Sequence, residues 1–149
     1  MPGALFDTNI WVAAVFPTHP FHRKARQALL EATVANPAVF CRSTQQGFLR
    51  LASTTVLLKA YGAAGMTNRD ALVVLKGLLA LPQVCERDEP PGMAGLWHRL
   101  AACDTASPKL WMDAYLAAFA ITSGLCLVTL DQDFKRFEAQ GLDCSWVIG

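Results

Sequence analysis

Short apolar segments alternate with helical segments along the whole of this 149-residue chain, and this alternation limits the fold more than any other feature. Strands separated by helices favour parallel pairing, with helices covering both faces of the sheet. The pattern therefore predicts an α/β fold with a parallel sheet, built as one continuous domain over residues 1–149. The strand-like segments are residues 4–6, 38–41, 83–85, 126–130 and 144–148.

Capping residues, glycine and proline mark the ends of the predicted helices. Thr67 and Asp70 have the spacing of a capping box at the start of a helix over residues 70–81, which Pro82 ends. Ser43 and Gln46 form a second, weaker box by the same spacing. The other helical segments are residues 109–123, ended by Gly124, and residues 131–140, ended by Gly141.

Composition excludes several classes of protein. Hydrophobic residues make up 53% of the chain and charged residues 17%, which excludes an intrinsically disordered protein. The longest apolar run, residues 114–121, is far shorter than the roughly 18 residues that a membrane span requires. The formal net charge of +1 differs from the strongly basic profile of many nucleic-acid-binding proteins, although it does not describe how charge is distributed.

The N-terminus and the cysteines indicate a reducing compartment. The first residues contain no basic segment and reach a carboxylate at Asp7, so they do not have the pattern of a secretory signal, and we expect a cytoplasmic protein. The five cysteines, at positions 41, 85, 103, 126 and 144, include no Cys-x-x-Cys pair. We therefore expect reduced, mostly buried thiols, and neither a disulfide framework nor a zinc site.

Acidic residues follow the predicted strands at one edge of the sheet. Asp7 directly follows the first strand, Asp131 directly follows the strand 126–130, and Asp133 lies two residues further on. Asp113, in the first turn of an alanine-rich helical stretch, faces the same edge if that helix packs on the sheet. Carboxylates this close repel one another unless a cation neutralises them. Oxygen ligands without nearby His or Cys favour Mg²⁺ or Mn²⁺ over zinc.

The same acids also have a purely structural interpretation. Asp7 and Asp131 are suitable helix N-caps, and a carboxylate at Asp113 in a first helical turn interacts favourably with the helix dipole. The spacing alone leaves both interpretations open.

Four blocks of the chain, in order, resemble the PIN-domain ribonucleases and, among them, the VapC toxins of bacterial toxin–antitoxin modules. Each block is a weak signal by itself, but their order along nearly the whole chain is specific. The blocks are residues 5–11 (Leu-Phe-Asp-Thr-Asn-Ile-Trp), 44–51 (Thr-Gln-Gln-Gly-Phe-Leu-Arg-Leu), 108–118 (Pro-Lys-Leu-Trp-Met-Asp-Ala-Tyr-Leu-Ala-Ala) and 127–134 (Leu-Val-Thr-Leu-Asp-Gln-Asp-Phe).

The resemblance implies a single PIN-like domain, with a five-stranded parallel sheet flanked by helices and an acidic Mg²⁺ site. Asp7, Asp113 and Asp131 would be catalytic metal ligands, and Asp133 a fourth ligand. The family usually has a glutamate in the second block, where this chain has Gln45, which carries no negative charge and cannot act as a base. The residues implied to orient the carboxylates by hydrogen bonds are Thr8, Asn9 and Thr129.

The implied activity is endoribonuclease cleavage, in which a metal-bound water attacks an RNA phosphodiester. Gln45 would help to position the water or the metal, and Arg50 and Lys109 are candidates for phosphate contacts. The resemblance also implies a homodimer and a cognate antitoxin. Trp11, Phe16, Phe21, Leu57, Leu58 and Tyr61 are candidates either for an exposed apolar surface of this kind or for ordinary core.

Two alternatives remain. Metal-free ribonucleases use histidines as acid and base, and this chain has His19, His22 and His98, although nothing in their spacing supports a catalytic pair. The stronger alternative is a PIN-like module that binds RNA or an antitoxin without cleaving, which the Gln45 position makes plausible.

The net charge of +1 is compatible with the nuclease interpretation. Four of the 12 acidic residues belong to the expected site, so the rest of the chain is net positive.

Overall fold

The computed structural model of the protein describes residues 3–146, which form five strands and seven α-helices. The strands are β1 (Ala4–Phe6), β2 (Ala38–Phe40), β3 (Val84–Glu86), β4 (Cys126–Thr129) and β5 (Cys144–Trp146). The α-helices are α1 (Thr8–Val15), α2 (His22–Glu31), α3 (Arg42–Leu51), α4 (Thr55–Ala60), α5 (Asn68–Leu79), α6 (Ala94–Ala101) and α7 (Pro108–Ser123), and a 3-10 helix covers Gln132–Gln140.

All five strands pair in parallel, in the order β3-β2-β1-β4-β5. The predicted fold, a five-stranded parallel sheet flanked by helices, is confirmed. Each predicted strand is present within one residue of its expected start, and residues 147–148 of the last prediction lie outside the described residues. The pairing that matters most for the site is β1 with β4, in which Phe6 lies opposite Val128. This register places the residues after both strands at the same edge.

The sheet separates two hydrophobic clusters, and β1 contributes to both because successive side chains point to opposite faces. Phe6 belongs to one cluster, where Trp11 stacks on Phe40 with ring centroids 3.7 Å apart. Leu5 belongs to the other cluster, which contains the fully buried alanines of α7. Small side chains let this helix approach the sheet closely, and the approach brings the residues of α7 to the strand ends.

The suggested apolar surface is mostly core. Trp11, Phe16 and Leu58 are buried, and the other three residues proposed for it, Phe21, Leu57 and Tyr61, are partly buried. The large apolar side chains that the structure does expose are Leu30, Val34, Val56, Leu72, Val73, Trp111 and Met112.

The helix ends show which local predictions hold. The capping box of Thr67 and Asp70 is confirmed, with reciprocal side-chain hydrogen bonds of 2.9 and 3.2 Å, although α5 ends at Leu79 rather than at residue 81. The second box, Ser43 with Gln46, is wrong because α3 begins earlier. Cys41 is its N-cap and donates its N–H to the Thr44 hydroxyl at 3.0 Å.

The start of α7 also corrects a prediction. Pro108 occupies the first position of the helix, which its missing N–H and fixed φ favour. Asp113 therefore lies in the second turn of α7, not in a first turn, and the helix dipole does not explain its presence. Gly124 ends α7 with φ of 68°, the left-handed conformation expected of a glycine at this position.

All five cysteines are free thiols. Cys41 is buried, Cys85, Cys126 and Cys144 are partly buried, and Cys103 is exposed, so the expectation of a buried thiol is wrong at that position. Within residues 3–146, no helix is long and apolar enough to cross a membrane.

Thr67→Ala should lower the free energy of unfolding by about 1 kcal/mol, because the N-terminus of α5 loses its side-chain cap. Urea denaturation followed by circular dichroism measures the difference. Thr122→Ala, an exposed threonine within the last turns of α7, is the matched control and should change stability by less than about 0.5 kcal/mol. Equal losses in the two variants would contradict the role assigned to the cap.

Candidate active site

Asp7 and Asp131 meet at the carboxyl edge of the sheet, where each also caps a helix. The Oδ1 atom of Asp7 accepts the Thr8 N–H at 2.7 Å at the start of α1. The Oδ1 atom of Asp131 accepts the Asp133 N–H at 2.9 Å at the start of the 3-10 helix. Each capping bond uses only the Oδ1 atom of its aspartate. The same carboxylate can therefore cap a helix and also bind a cation through its other oxygen atom.

Thr129 connects the ends of β1 and β4. Its side chain is fully buried, and its hydroxyl donates to the Oδ2 atom of Asp7 at 2.7 Å. The same hydroxyl oxygen accepts the backbone N–H of Asp131 at 3.0 Å and the side-chain amide of Asn9 at 3.4 Å. Asn9 in turn accepts the Leu130 N–H at 3.2 Å. These bonds orient the Asp7 carboxylate and fix the backbone at Asp131.

Lys109 binds the acids that come from α7 and from the segment after β4. Its ammonium donates to Asp131 at 2.6 Å and to Asp133 at 3.1 Å, and it forms an ion pair with Asp113 at 3.2 Å. Asp113, one helical turn after Lys109, has a side chain only 14% exposed, whereas that of Asp133 is 70% exposed. Asp133 therefore lies at the outer rim of the group.

Burial and neighbouring charges shift the pKa values of Asp7, Asp113 and Asp131 in different directions. The pKa of Asp7 is raised, chiefly by burial and also by the neighbouring Asp113 and Asp131 charges, against the hydrogen bonds from Thr129 and Thr8. The pKa of Asp113 is raised by burial more than Lys109 lowers it. Burial also acts to raise the pKa of Asp131, but the hydrogen bonds from Lys109 and from the Asp133 N–H outweigh it, so the net shift is downward.

The hydrogen bond to Asp131 raises the pKa of Lys109 well above its ordinary value, against burial, with further contributions from Asp133 and Asp113. The ammonium is therefore fully charged at neutral pH.

A cleft of about 460 Å³ opens beside these acids. Asp7, Asp113, Asp131 and Lys109 line one side. The other side is α3, from which Ser43, Gln46, Gly47 and Arg50 line the cleft. Gly47 lies directly against Thr8, because a Cβ atom at this position would come within 2.5 Å of the Thr8 hydroxyl oxygen.

The structure does not bring Gln45 into this cleft. Gln45 is 4% exposed, its Oε1 atom accepts a hydrogen bond from Arg42 at 2.8 Å, and its buried Nε2 atom has no partner among the described residues. Gln45 therefore does not line the cleft, and its correspondence to the family's glutamate stays a prediction. Gln45 is among the buried residues of α3, whereas the face of this helix that lines the cleft is formed by residues 43, 46, 47 and 50.

Gln46 and Gly47 lie in the cleft and were not recognised from the sequence. The signal that identifies them is helical spacing: positions 43, 46, 47 and 50 recur at intervals of three and four residues and therefore share one face of α3. That face carries no carboxylate. The histidines are also absent from the cleft lining among the described residues, and His22 instead bonds the Ala13 carbonyl oxygen at 2.8 Å.

The donor set at this site fits a hard divalent cation. In the part of the chain that the structure describes, no group of three or more His, Cys, Asp or Glu side chains is arranged as it stands to hold a metal ion. The carboxylates of Asp113, Asp131 and Asp133 hold the Lys109 ammonium instead, which shows that this position attracts a cation. Oxygen ligands alone suit Mg²⁺ or Mn²⁺ once the ammonium moves aside.

The sequence profile of the PIN domain matches residues 4–140, which include all of the site described above. The chain belongs to the PIN-domain family. It is 43% identical over 136 residues to Ribonuclease VapC41 of Mycobacterium tuberculosis, a match that covers 89% of this chain and 92% of the relative. Ribonuclease VapC31 of the same organism is 29% identical over 136 residues, covering 91% of this chain and 93% of the relative.

Solved structures share the PIN fold of this chain. VapBC2 from Rickettsia felis, crystallised with a DNA fragment from its promoter, matches with a TM-score of 0.63 and 16% identity, covering 96% of this chain and 97% of the other. The sarcin-ricin loop cleaving toxin VapC20 of Mycobacterium tuberculosis matches with a TM-score of 0.61 and 17% identity, covering 94% and 96%. At these identities the likeness supports the fold alone.

Asp113→Asn should make the PIN domain more stable relative to wild type as pH rises from 4 to 7. Because the folded-state pKa of Asp113 is raised, the wild-type fold loses stability as pH rises from the unfolded pKa through the folded one, and asparagine removes that loss. Urea denaturation at several pH values measures the difference. Asp104→Asn, in an exposed loop, is the control for replacing one aspartate by asparagine. A stability difference for Asp113→Asn that does not change with pH would contradict this electrostatic account.

Proposed function

We propose that this PIN domain is a metal-dependent endoribonuclease toxin of a toxin–antitoxin module, which hydrolyses RNA phosphodiester bonds. The observation that carries the proposal is the convergence of Asp7, Asp113 and Asp131 from three separate chain segments on one cleft of a PIN fold. The 43% identity to Ribonuclease VapC41 over most of both chains supports the same activity.

Asp7, Asp113 and Asp131 would hold Mg²⁺ or Mn²⁺, with Asp133 as an outer ligand. The ion supplies a water of lowered pKa and positive charge next to the phosphate oxygens. Hydrogen bonds from Thr129 and from the Thr8 N–H keep the Asp7 carboxylate fixed, and Asn9 supports Thr129. A preorganised ligand set avoids reordering these groups during the reaction.

The α3 side of the cleft would receive the RNA backbone. Arg50 lines this side and is placed to contact a phosphate, and Gly47 has no side chain to keep the backbone away from Thr8. Lys109 is a second candidate for a phosphate contact, but its ammonium is held by the carboxylates and has to leave them first.

The proposed partners are RNA, a cognate antitoxin and a second copy of the chain, in the cytoplasm. The VapBC2 structure, whose fold this chain shares, supports an antitoxin partner. Trp111 and Met112 are 51% and 61% exposed, and Met112 lines the cleft, so an apolar segment of an antitoxin has a surface to contact there.

A second candidate function is a PIN module that binds RNA or an antitoxin without cleaving. The observation that favours it is the cleft face of α3, which contributes Ser43, Gln46, Gly47 and Arg50 but no carboxylate. A nuclease would then depend only on the acids of the opposite side, which come from the strand ends and from α7.

Incubation of the purified protein with total RNA tests the proposed reaction. We expect new 5′ ends at defined sites with Mg²⁺ or Mn²⁺ and none with EDTA, because the reaction needs the bound ion. Asp113→Asn should lower the cleavage rate by at least about a hundredfold, since it removes a metal ligand. Asp104→Asn should retain wild-type cleavage. Cleavage that persists in EDTA, or in Asp113→Asn, would overturn the metal-dependent reaction.

Gln46→Glu separates the nuclease from the binding module, because it adds a carboxylate to the cleft face of α3. If the site is already competent, the cleavage rate should stay within about threefold of wild type. Gln140→Glu, at the exposed end of the 3-10 helix, is the control for added charge. An inactive wild-type protein that gains strong Mg²⁺-dependent cleavage only through Gln46→Glu would instead support a module that binds without cleaving.

A further inference from the structure

We propose that Lys109 competes with the divalent cation for the acidic site, so that metal binding requires its ammonium to leave Asp131 and Asp113. The inference rests on the proposed metal-dependent function and concerns how that site is regulated. It assigns Lys109 a role distinct from the phosphate contact suggested by the sequence.

The contacts of Lys109 are those of a counter-ion. Its ammonium lies 2.6 Å from Asp131, 3.1 Å from Asp133 and 3.2 Å from Asp113, so one positive charge is shared among three carboxylates. Asp113 and Asp131 are two of the three residues that would ligate the metal. The same oxygen atoms cannot bind the Lys109 ammonium and a metal ion at the same time, because two cations in contact with the same carboxylates would repel one another.

The stability of α7 does not explain why a lysine occupies this position. Lys109 is the second residue of α7, where a positive charge interacts unfavourably with the helix dipole. A lysine four residues before an aspartate is also the less favourable order for an ion pair along a helix. The acids at the sheet edge are therefore the groups that benefit from its charge.

The Lys109 side chain is able to leave. It is 61% exposed, and its flexible stem can carry the ammonium into solvent without moving the backbone of α7. By contrast, the Asp7 carboxylate is held by Thr129 and by the Thr8 N–H, and the Asp131 carboxylate by the Asp133 N–H. A metal would thus exchange with an exposed ammonium beside two oriented carboxylates, those of Asp7 and Asp131. Lys109 would offset part of the negative charge at low metal concentration and raise the concentration of metal at which the site fills.

Metal titration of the full chain tests this competition. Isothermal titration calorimetry with Mn²⁺ alone should show that Lys109→Met binds about tenfold more tightly than wild type, because a competing positive charge is removed while the length of the side chain is kept. Lys109→Arg, which keeps the charge, should bind close to wild type. Lys76→Met, an exposed lysine on α5, is the matched control and should not change the affinity.

Thermal unfolding provides a second measurement. Without metal, Lys109→Met should melt at a lower temperature than wild type, since three carboxylates lose their counter-ion. Saturating Mn²⁺ should raise the melting temperature of Lys109→Met by more than it raises that of wild type. Lys109→Gln should show the same pattern. It replaces Lys109→Met in both measurements if Lys109→Met does not fold.

The outcomes distinguish this inference from the proposed function. Equal or weaker Mn²⁺ binding by Lys109→Met and Lys109→Gln, with Mg²⁺-dependent RNA cleavage intact in wild type, overturns the competition and leaves the nuclease standing. No Mn²⁺ binding by wild type or by any Lys109 variant overturns the metal site itself, and the competition with it.

Discussion

Repulsion among carboxylates at one edge of a parallel sheet is the constraint on which the rest of this site depends. The pairing of β1 with β4 brings Asp7 and Asp131 to the same edge, and the close packing of α7 adds Asp113. Burial makes the charged forms of Asp7 and Asp113 costly, as their raised pKa values show. A cation has to offset this cost, and in the structure Lys109 supplies that charge. In our proposal, Lys109 and a metal ion thus compete for the same carboxylate oxygen atoms.

The hydrogen bonds of Thr129 make that arrangement specific. A buried hydroxyl that donates to Asp7 and accepts from Asn9 and the Asp131 N–H joins two strand ends that are far apart in sequence. Buried polar groups of this kind are stable only when all partners are present, so the network holds the Asp7 carboxylate in one orientation and fixes the backbone of Asp131. With an oriented Asp7 carboxylate and an exposed Lys109 side chain, the proposed exchange of cations requires no rearrangement of the backbone.

The two sides of the cleft differ in charge, and this difference bears directly on function. The strand edge and α7 carry the acids, whereas α3 presents Gln46, Gly47 and Arg50. In the proposed function, a phosphodiester backbone would contact the second side directly and the first side through a bound metal. The near-neutral formal charge of +1 is therefore compatible with a nucleic-acid substrate, because four of the 12 acidic residues belong to the proposed metal site.

The sequence by itself determined the α/β class, the strand positions, the Thr67 cap and the acids at the strand ends, because these follow from local periodicity and from the residues that end each element. Only the tertiary structure decided that Gln45 is buried while Gln46 and Gly47 face the cleft, because that depends on where α3 begins and how it packs against Thr8. The contacts of Lys109 also depend on the tertiary structure. Its spacing to Asp113 is visible in the sequence, but its contacts with Asp131 and Asp133 exist only because the fold brings the start of α7 to the end of β4.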